Sequence, residues 1–194
     1  MIFKRDGFSC YIMPGVPREM KGMMQNVVLP QLQGQLGGRT IKIKNLMTTG
    51  IPESTLFEQL DNLDEIQTNA RVAFLPGLFG VKIRLMAIAE SEEKADRRIV
   101  AAEALVRKKV AVSIFADQDI SLEQAVANVL IEYNETVAVA ESCTGGLVAN
   151  LLTNIPGSSA FFDRGIVTYS NTAKIEHLNV AATTIEKFGA VSKE

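Results

Sequence analysis

The stretch "TVAVAESCTGGLVANLL" (136–152) limits what this 194-residue chain can fold into more than any other segment. Its first five residues are β-branched or small and apolar throughout, the pattern of a strand buried on both faces of an α/β sheet. The run stops at Glu141-Ser142-Cys143-Thr144-Gly145-Gly146, and an apolar run with helical spacing begins at once. Strand, short loop and helix make the first part of a βαβ unit, so this region has to build a parallel sheet. A plain connection needs one turn residue. The excess of hydroxyls, a thiol and two glycines marks a candidate site.

A second strand, "AFFDRGIVTYS" (160–170), ends in the same way, with a helix beginning at "NTAKIEHLNV" and Asn171 as its N-cap. Consecutive parallel strands usually lie side by side with their C-terminal ends on one edge. That brings Tyr169, Ser170 and Asn171 beside Ser142 and Thr144, where α/β ligand sites form. The unpaired N–H groups of a helix start attract anions, and Gly145 and Gly146 allow a ligand close to the backbone. The competing reading is that Thr144 caps the helix and Ser142 satisfies a strand end; spacing alone leaves the two even. Lys174 falls in the first turn of the second helix, where a cation is unfavourable. A bound anion, the Glu141 carboxylate or loss of the lysine's proton would compensate, and a deprotonated lysine can activate a serine or a water. The alternative is a solvated surface lysine. Cys143 reads as a buried small hydrophobe, and His177 as a surface or packing residue. The loop is neither a Walker A motif nor a G-x-S-x-G nucleophile elbow.

Upstream, "GFSCYIM" reads as a strand, "PGVP" as a turn, and "REMKGMMQNVVLPQL" as a helix with Met20, Met23, Met24 and Val27 on its apolar stripe. "GQLGG" (34–38) reads as a linker. A β-α-β-β-α unit follows: strand "RTIKIKNLM", helix "PESTLFEQLDNL", strands "ARVAFLP" and "GVKIRLMAIA", and a helix burying Ile99, Ala102, Val106 and Val110. Gly77-Leu78-Phe79-Gly80 fits the G-x-x-G of RNA-binding KH modules, but it joins two strands and its middle residues are apolar, so a hairpin turn is the better reading. "DISLEQAVANVLIEYN" opens with a capping box, Ser121 and Gln124, and buries Ala125, Val129 and Leu130. The fold class is α/β: a mixed α+β middle unit, then the start of a parallel sheet.

A net charge of −2 without a basic block gives no footprint for nucleic acid or for a membrane surface. No apolar run approaches the roughly 20 residues of a membrane span. Two distant cysteines and one histidine exclude a disulfide framework and any zinc-ligand spacing, so no metal and a reducing cytoplasm are expected.

The stretch "AESCTGGLVANLLTNIPGSSAFFDRGIVTYSNTAKIEHLNV", with "FGAVS" after it, resembles the C-terminal domain of the CinA (competence/damage-inducible protein A) family. "MPGVPREMKGMM" resembles the close of that family's molybdopterin-binding-like first domain, and "TTGIPEST" with the β-α-β-β-α unit resembles its KH-type middle domain. The expected divisions are a remnant over 1–33, a KH-like domain over 39–117 and a C-terminal domain over 121–194. The resemblance implies an amidohydrolase that converts nicotinamide mononucleotide (NMN) and water to nicotinate mononucleotide and ammonia, with no cofactor. It carries the family's catalytic serine onto Ser142 and its lysine onto Lys174. Glu141, Thr144, Gly145, Gly146, Tyr169, Ser170 and Asn171 then become the substrate wall. Whether Ser142 forms an acyl-enzyme or positions water stays open. The family's later glycine-rich "TGIAGP"-like loop has no counterpart here, so the deamidase domain is expected to be incomplete. A non-catalytic remnant or interaction module is the rival reading; ADP-ribose pyrophosphatase activity is not expected, its domain being mostly absent. The expected partners are NMN and further copies of the chain, with no nucleic acid and no membrane.

Overall fold

A computed structural model describes residues 1–5, 7–35, 38–61 and 63–193. The chain forms two compact units, Met1–Ile114 and Phe115–Glu194.

The first unit opens with an antiparallel hairpin, β1 (Ile2–Arg5) and β2 (Phe8–Tyr11), where a single strand was expected. The overlooked signal is Asp6-Gly7, a hairpin dipeptide. Gly7 has φ +80°, in the left-handed region that glycine enters without steric cost; Asp6 lies outside the described residues. The next helix runs as α1 (Pro17–Met23), a π-turn (Met24–Val28) and α2 (Leu29–Gln35). Pro30 has no N–H and would press on the carbonyl four residues back in an unbroken α-helix. The wider turn lies directly before it, with the Leu29 N–H reaching the Met24 carbonyl. The extra residue rotates the apolar face by one position, so Val28 is buried and Val27, expected on the stripe, is exposed. Of the expected linker, Gly38 has φ +76°, while Leu36 and Gly37 lie outside the described residues.

Next come β3 (Thr40–Thr48), α3 (Glu53–Leu60), α4 (Leu63–Gln67), β4 (Arg71–Gly77), β5 (Gly80–Ala89) and α5 (Glu92–Val110). A short β6 (Ile114–Ala116) completes a sheet of order β4-β5-β3-β6. The helix expected over "PESTLFEQLDNL" is two helices, because Asp61 takes φ +53° and ends α3. Aspartate tolerates that conformation better than most residues, so the Asp-Asn pair was the sign of the break. On central strand β5, Val81, Ile83, Leu85, Ala87 and Ala89 alternate into the core. Ile99, Ala102, Val106 and Val110 of α5 are all buried, as the spacing predicts. Gly77 and Gly80 pair across the β4–β5 hairpin, which is the reading preferred over a nucleic-acid clamp. The hairpin is pinned to the end of β3. The Thr48 Oγ1 hydroxyl donates to the Val81 carbonyl at 2.7 Å, and that of Thr49 to the Phe79 carbonyl at 2.8 Å.

The second unit contains α6 (Leu122–Glu132), β7 (Val137–Glu141), α7 (Leu147–Thr153), β8 (Phe162–Val167), α8 (Asn171–Leu178) and α9 (Ala182–Phe188). Ser121 caps α6 by accepting from the Gln124 N–H at 3.3 Å, but the Gln124 side chain turns to Asn128 instead of closing the capping box. The buried face of α6 is set by Ala127 and Leu130, not by the expected Val129, which is 53% exposed. Apolar residues at 125, 126, 127, 129, 130 and 131 take up most of the circumference beside a narrow Gln124-Asn128-Glu132 stripe, so periodicity did not single out the buried positions.

Strands β7 and β8 pair in parallel, from Ala138↔Arg164 to Glu141↔Val167, with Asp163 bulging out of register. Val137 and Val139 pack on the small core of Ala127, Leu152 and Phe161, while Ala138 and Ala140 are exposed. The expectation that β7 is buried on both faces is therefore corrected. The packed layer covers one side of a two-stranded sheet and leaves the other open. Helix α9 was not anticipated.

Candidate functional site

The site forms where β7 and β8 end. Glu141 is the last residue of β7 and only 6% exposed. Beyond the last ladder pair, the Thr168 N–H donates to the Glu141 carbonyl at 2.7 Å, so the two strand ends stay locked together. The chain then turns twice, with the Gly145 N–H to the Ser142 carbonyl at 3.0 Å and the Leu147 N–H to the Thr144 carbonyl at 3.1 Å. Gly145 and Gly146 take φ +59° and +94°, which is why two glycines stand here. A Cβ at Gly146 would also touch Val167 at 3.4 Å.

The Glu141 carboxylate does not face an open ligand site. Its Oε2 accepts from the Val148 N–H at 3.0 Å and its Oε1 from the Ala149 N–H at 2.8 Å. The Thr144 hydroxyl and the Gly146 N–H also donate to it. The start of α7, read from sequence as an anion site, is thus capped by the chain's own carboxylate. Burial pushes the Glu141 carboxyl up, but the donors from Ala149, Thr144, Val148 and Gly146 outweigh it and hold the pKa below the usual carboxylate range.

Helix α8 supplies Lys174. Its N-cap is Ser170, one residue before the expected Asn171; extended backbone (φ −85°, ψ 157°) lets the Ser170 Oγ accept from the Ala173 N–H at 3.0 Å. Helical side chains lean toward the N-terminus, which carries the Lys174 ammonium back over the strand ends. Lys174 Nζ lies 3.2 Å from Ser142 Oγ, 2.8 Å from the Thr168 carbonyl and 3.2 Å from that of Tyr169. Two carbonyls and a hydroxyl therefore offset the unfavourable cation near a helix start. Glu141, considered for that role, is engaged by α7.

The pair opens onto a cleft of about 290 Å³. Ala140, Glu141, Ser142, Thr168 and Lys174 line it, together with Leu178 at the end of α8, Val180 just beyond it, and Thr184 and Ile185 of α9. The two residues expected to be catalytic, Ser142 and Lys174, line this cleft, and of those expected in the substrate wall only Glu141 does. Thr144, Gly145, Gly146, Tyr169, Ser170 and Asn171 do not: Thr144 holds Glu141, the glycines shape the loop, Tyr169 offers its carbonyl, Ser170 caps α8, and Asn171 begins that helix. Sequence reading missed the apolar wall. Its signal was Leu178, Val180 and Ile185, split by Asn179, which takes φ +55° and ends α8. Cys143 is exposed, contrary to the buried reading, because it sits in the loop beyond the packed layer. His177 is exposed and does not line the cleft.

Residues 43–116 match the family described as the damage-inducible protein CinA KH domain, and residues 119–194 match the CinA C-terminal domain family. A competence-damage inducible protein of Clostridium botulinum (strain ATCC 19397 / Type A) is 45% identical over 193 residues, which are 100% of this chain and 47% of the relative. One from Clostridioides difficile (strain 630) is 44% identical over 201 residues, covering 100% of this chain and 48% of the relative. The chain spans about half the length of the curated relatives it matches. Among solved structures, the competence/damage inducible protein CihA from Agrobacterium tumefaciens is 49% identical over 37% of this chain and 43% of that one, with a TM-score of 0.36. A competence-damaged protein (CinA) superfamily protein from Escherichia coli is 34% identical over 44% and 50%, with a TM-score of 0.38. With adjoining KH and C-terminal family matches that together take in most of its residues, the chain belongs to the CinA family.

Proposed function

We propose that the chain is a nicotinamide-nucleotide amidohydrolase, hydrolysing the carboxamide of NMN to nicotinate mononucleotide and ammonia. The observation that carries this reading is the 3.2 Å approach of Lys174 Nζ to Ser142 Oγ. A neutral lysine amine has two N–H bonds and one lone pair. Once Lys174 has given a proton to solvent, its two N–H bonds can stay on the Thr168 and Tyr169 carbonyls while its lone pair accepts from the Ser142 hydroxyl. Ser142 then passes its proton to Lys174 as its Oγ bonds to the carboxamide carbon. Lys174 returns the proton to the departing nitrogen, the C–N bond breaks, and ammonia leaves. Water cleaves the resulting ester, releasing nicotinate mononucleotide and restoring the Ser142 hydroxyl. Because Glu141 occupies the Val148 and Ala149 amides, the start of α7 is not the oxyanion donor. Leu178, Val180 and Ile185 give a flat pyridine ring an apolar surface in the same cleft as the nucleophile.

Ammonia and nicotinate mononucleotide measured after incubation with NMN test the reading, with phosphate-free nicotinamide in parallel. Equal yields of the two products from NMN are expected; no ammonia from NMN would end the proposal.

The partners proposed are NMN and further copies of the chain, in the cytoplasm, without nucleic acid or membrane. Between α3 and α4, where KH modules place their backbone-clamping loop, residues 60–63 read Leu-Asp-Asn-Leu, without the glycines. Among the described residues no helix is long and apolar enough to cross a membrane. Self-association is supported by the second unit, whose core rests on three buried residues and whose two-stranded sheet leaves one face open. Light scattering is expected to show a dimer or larger species. A strict monomer that unfolds cooperatively would contradict it.

A further inference from the structure

We infer that Glu141 is the positioning residue of the Ser142–Lys174 pair, holding the nucleophile's loop to both strands and to α7. The inference rests on the reading of Ser142 as a nucleophile and moves Glu141 from the substrate wall to the scaffold behind it.

Ser142 follows Glu141 directly, so whatever fixes Glu141 limits where the serine hydroxyl can go. Two sets of bonds fix it. The Glu141 carbonyl accepts from the Thr168 N–H at 2.7 Å, and the carbonyl of that same Thr168 accepts from Lys174 Nζ at 2.8 Å. Through one residue, the backbone of Glu141 thus sets the height of the lysine. On the other side, its carboxylate gathers Thr144, Gly146, Val148 and Ala149, tying both ends of the 142–146 turn to one side chain. These donors are otherwise the orphan N–H groups of a helix start and a loop hydroxyl, and they would go to solvent without it. A carboxylate accepts at both oxygens, and an uncharged side chain of the same shape does not. A glutamine here keeps one acceptor and turns an NH₂ group toward a backbone N–H. The loop then swings, and an error of about 1 Å between reacting groups costs on the order of 100-fold in rate.

The carboxyl group works in its charged form, held below the usual carboxylate range by those same donors. Its other polar neighbours along the cleft lining are Lys174 and the hydroxyl-bearing Ser142 and Thr168. A depressed pKa contributes stability above the unfolded carboxyl range, and this contribution disappears as pH falls through the folded value.

The test compares the full chain with Glu141→Gln, using a fluorophosphonate that bonds to Ser142 Oγ with loss of fluoride. The labelling rate is followed by intact mass at neutral pH, well below the thermal transition of both proteins. Labelling of the variant is expected to fall by about tenfold or more, with KM for NMN within about twofold of the parent and kcat reduced in step. A helix cap of purely structural importance would lower the thermal midpoint and leave the labelling rate alone; parental labelling by Glu141→Gln overturns the inference. If Glu141→Gln does not fold, Thr144→Val removes one donor to the carboxylate from an exposed position. It is expected to slow labelling about threefold, and a parental rate again overturns the inference. A parent that labels at Ser142 but releases no ammonia from NMN defeats the substrate reading and leaves the labelling comparison to decide Glu141. A parent that does not label at Ser142 defeats both.

Discussion

Lys174→Met is expected to lower kcat/KM for ammonia release from NMN by about a thousandfold, the size of losing a positioned general base. Methionine keeps an unbranched apolar stem along the cleft and removes the nitrogen that reaches Ser142 Oγ. Water can replace the lost donor at the exposed Tyr169 carbonyl, whereas the carbonyl of Thr168, a residue only 2% exposed, loses a partner, so the thermal midpoint is expected to fall modestly. Lys174→Arg separates charge from proton transfer. It keeps a cation over the same carbonyls, but a guanidinium does not give up its proton, so this variant is expected to be equally inactive. Steady-state kinetics beside circular dichroism check both variants. Substantial activity in Lys174→Arg would mean that the lysine acts through its charge, and the proton-transfer role would have to go.

Gly80→Ala is expected to have the largest effect on stability. A Cβ at this position would lie 1.8 Å from the Thr48 carbonyl oxygen and 2.8 Å from its carbon, both backbone atoms that cannot swing aside. Relief requires the β4–β5 hairpin to lift off the end of β3, breaking the bonds from Thr48 to the Val81 carbonyl and from Thr49 to the Phe79 carbonyl. Overpacking of this kind costs about 3 kcal/mol or more, a large share of the roughly 5–15 kcal/mol that holds a domain folded. Gly77→Ala is the control. Its Cβ would meet only the Gly80 carbonyl oxygen at 3.5 Å, an ordinary contact, so the change is expected to stay within about 1 kcal/mol. Denaturant midpoints of the two variants measure the difference. Equal midpoints would show that the hairpin does not press on β3.

These two glycines also show how far sequence alone carried the fold. Both sit in a G-x-x-G pattern that invites a nucleic-acid reading, and their position between two alternating strands was enough to reject it. What the sequence did not show is that Gly80 is fixed by the backbone of a strand more than thirty residues earlier. Local periodicity located α5 and its buried face because charge and apolar residues separate cleanly there. It misplaced Val129 on α6, where the polar stripe is narrow, and Val27 after α1, where the π-turn before Pro30 moves the buried position to Val28. At the site, parallel pairing of β7 and β8 was legible, and it brought Ser142 to Lys174. The role of Glu141 was not, because nothing local distinguishes a carboxylate that binds a ligand from one that caps the helix after its own strand. The apolar wall was hidden for another reason: it depends on the turn at Asn179 folding α9 back over the pair.

The most direct test of the central claim is ammonia released from NMN by the full chain, measured beside Ser142→Ala. The account predicts ammonia and nicotinate mononucleotide in equal amounts from the parent, and release at the buffer background from Ser142→Ala. Ammonia at the parental rate from Ser142→Ala would contradict it.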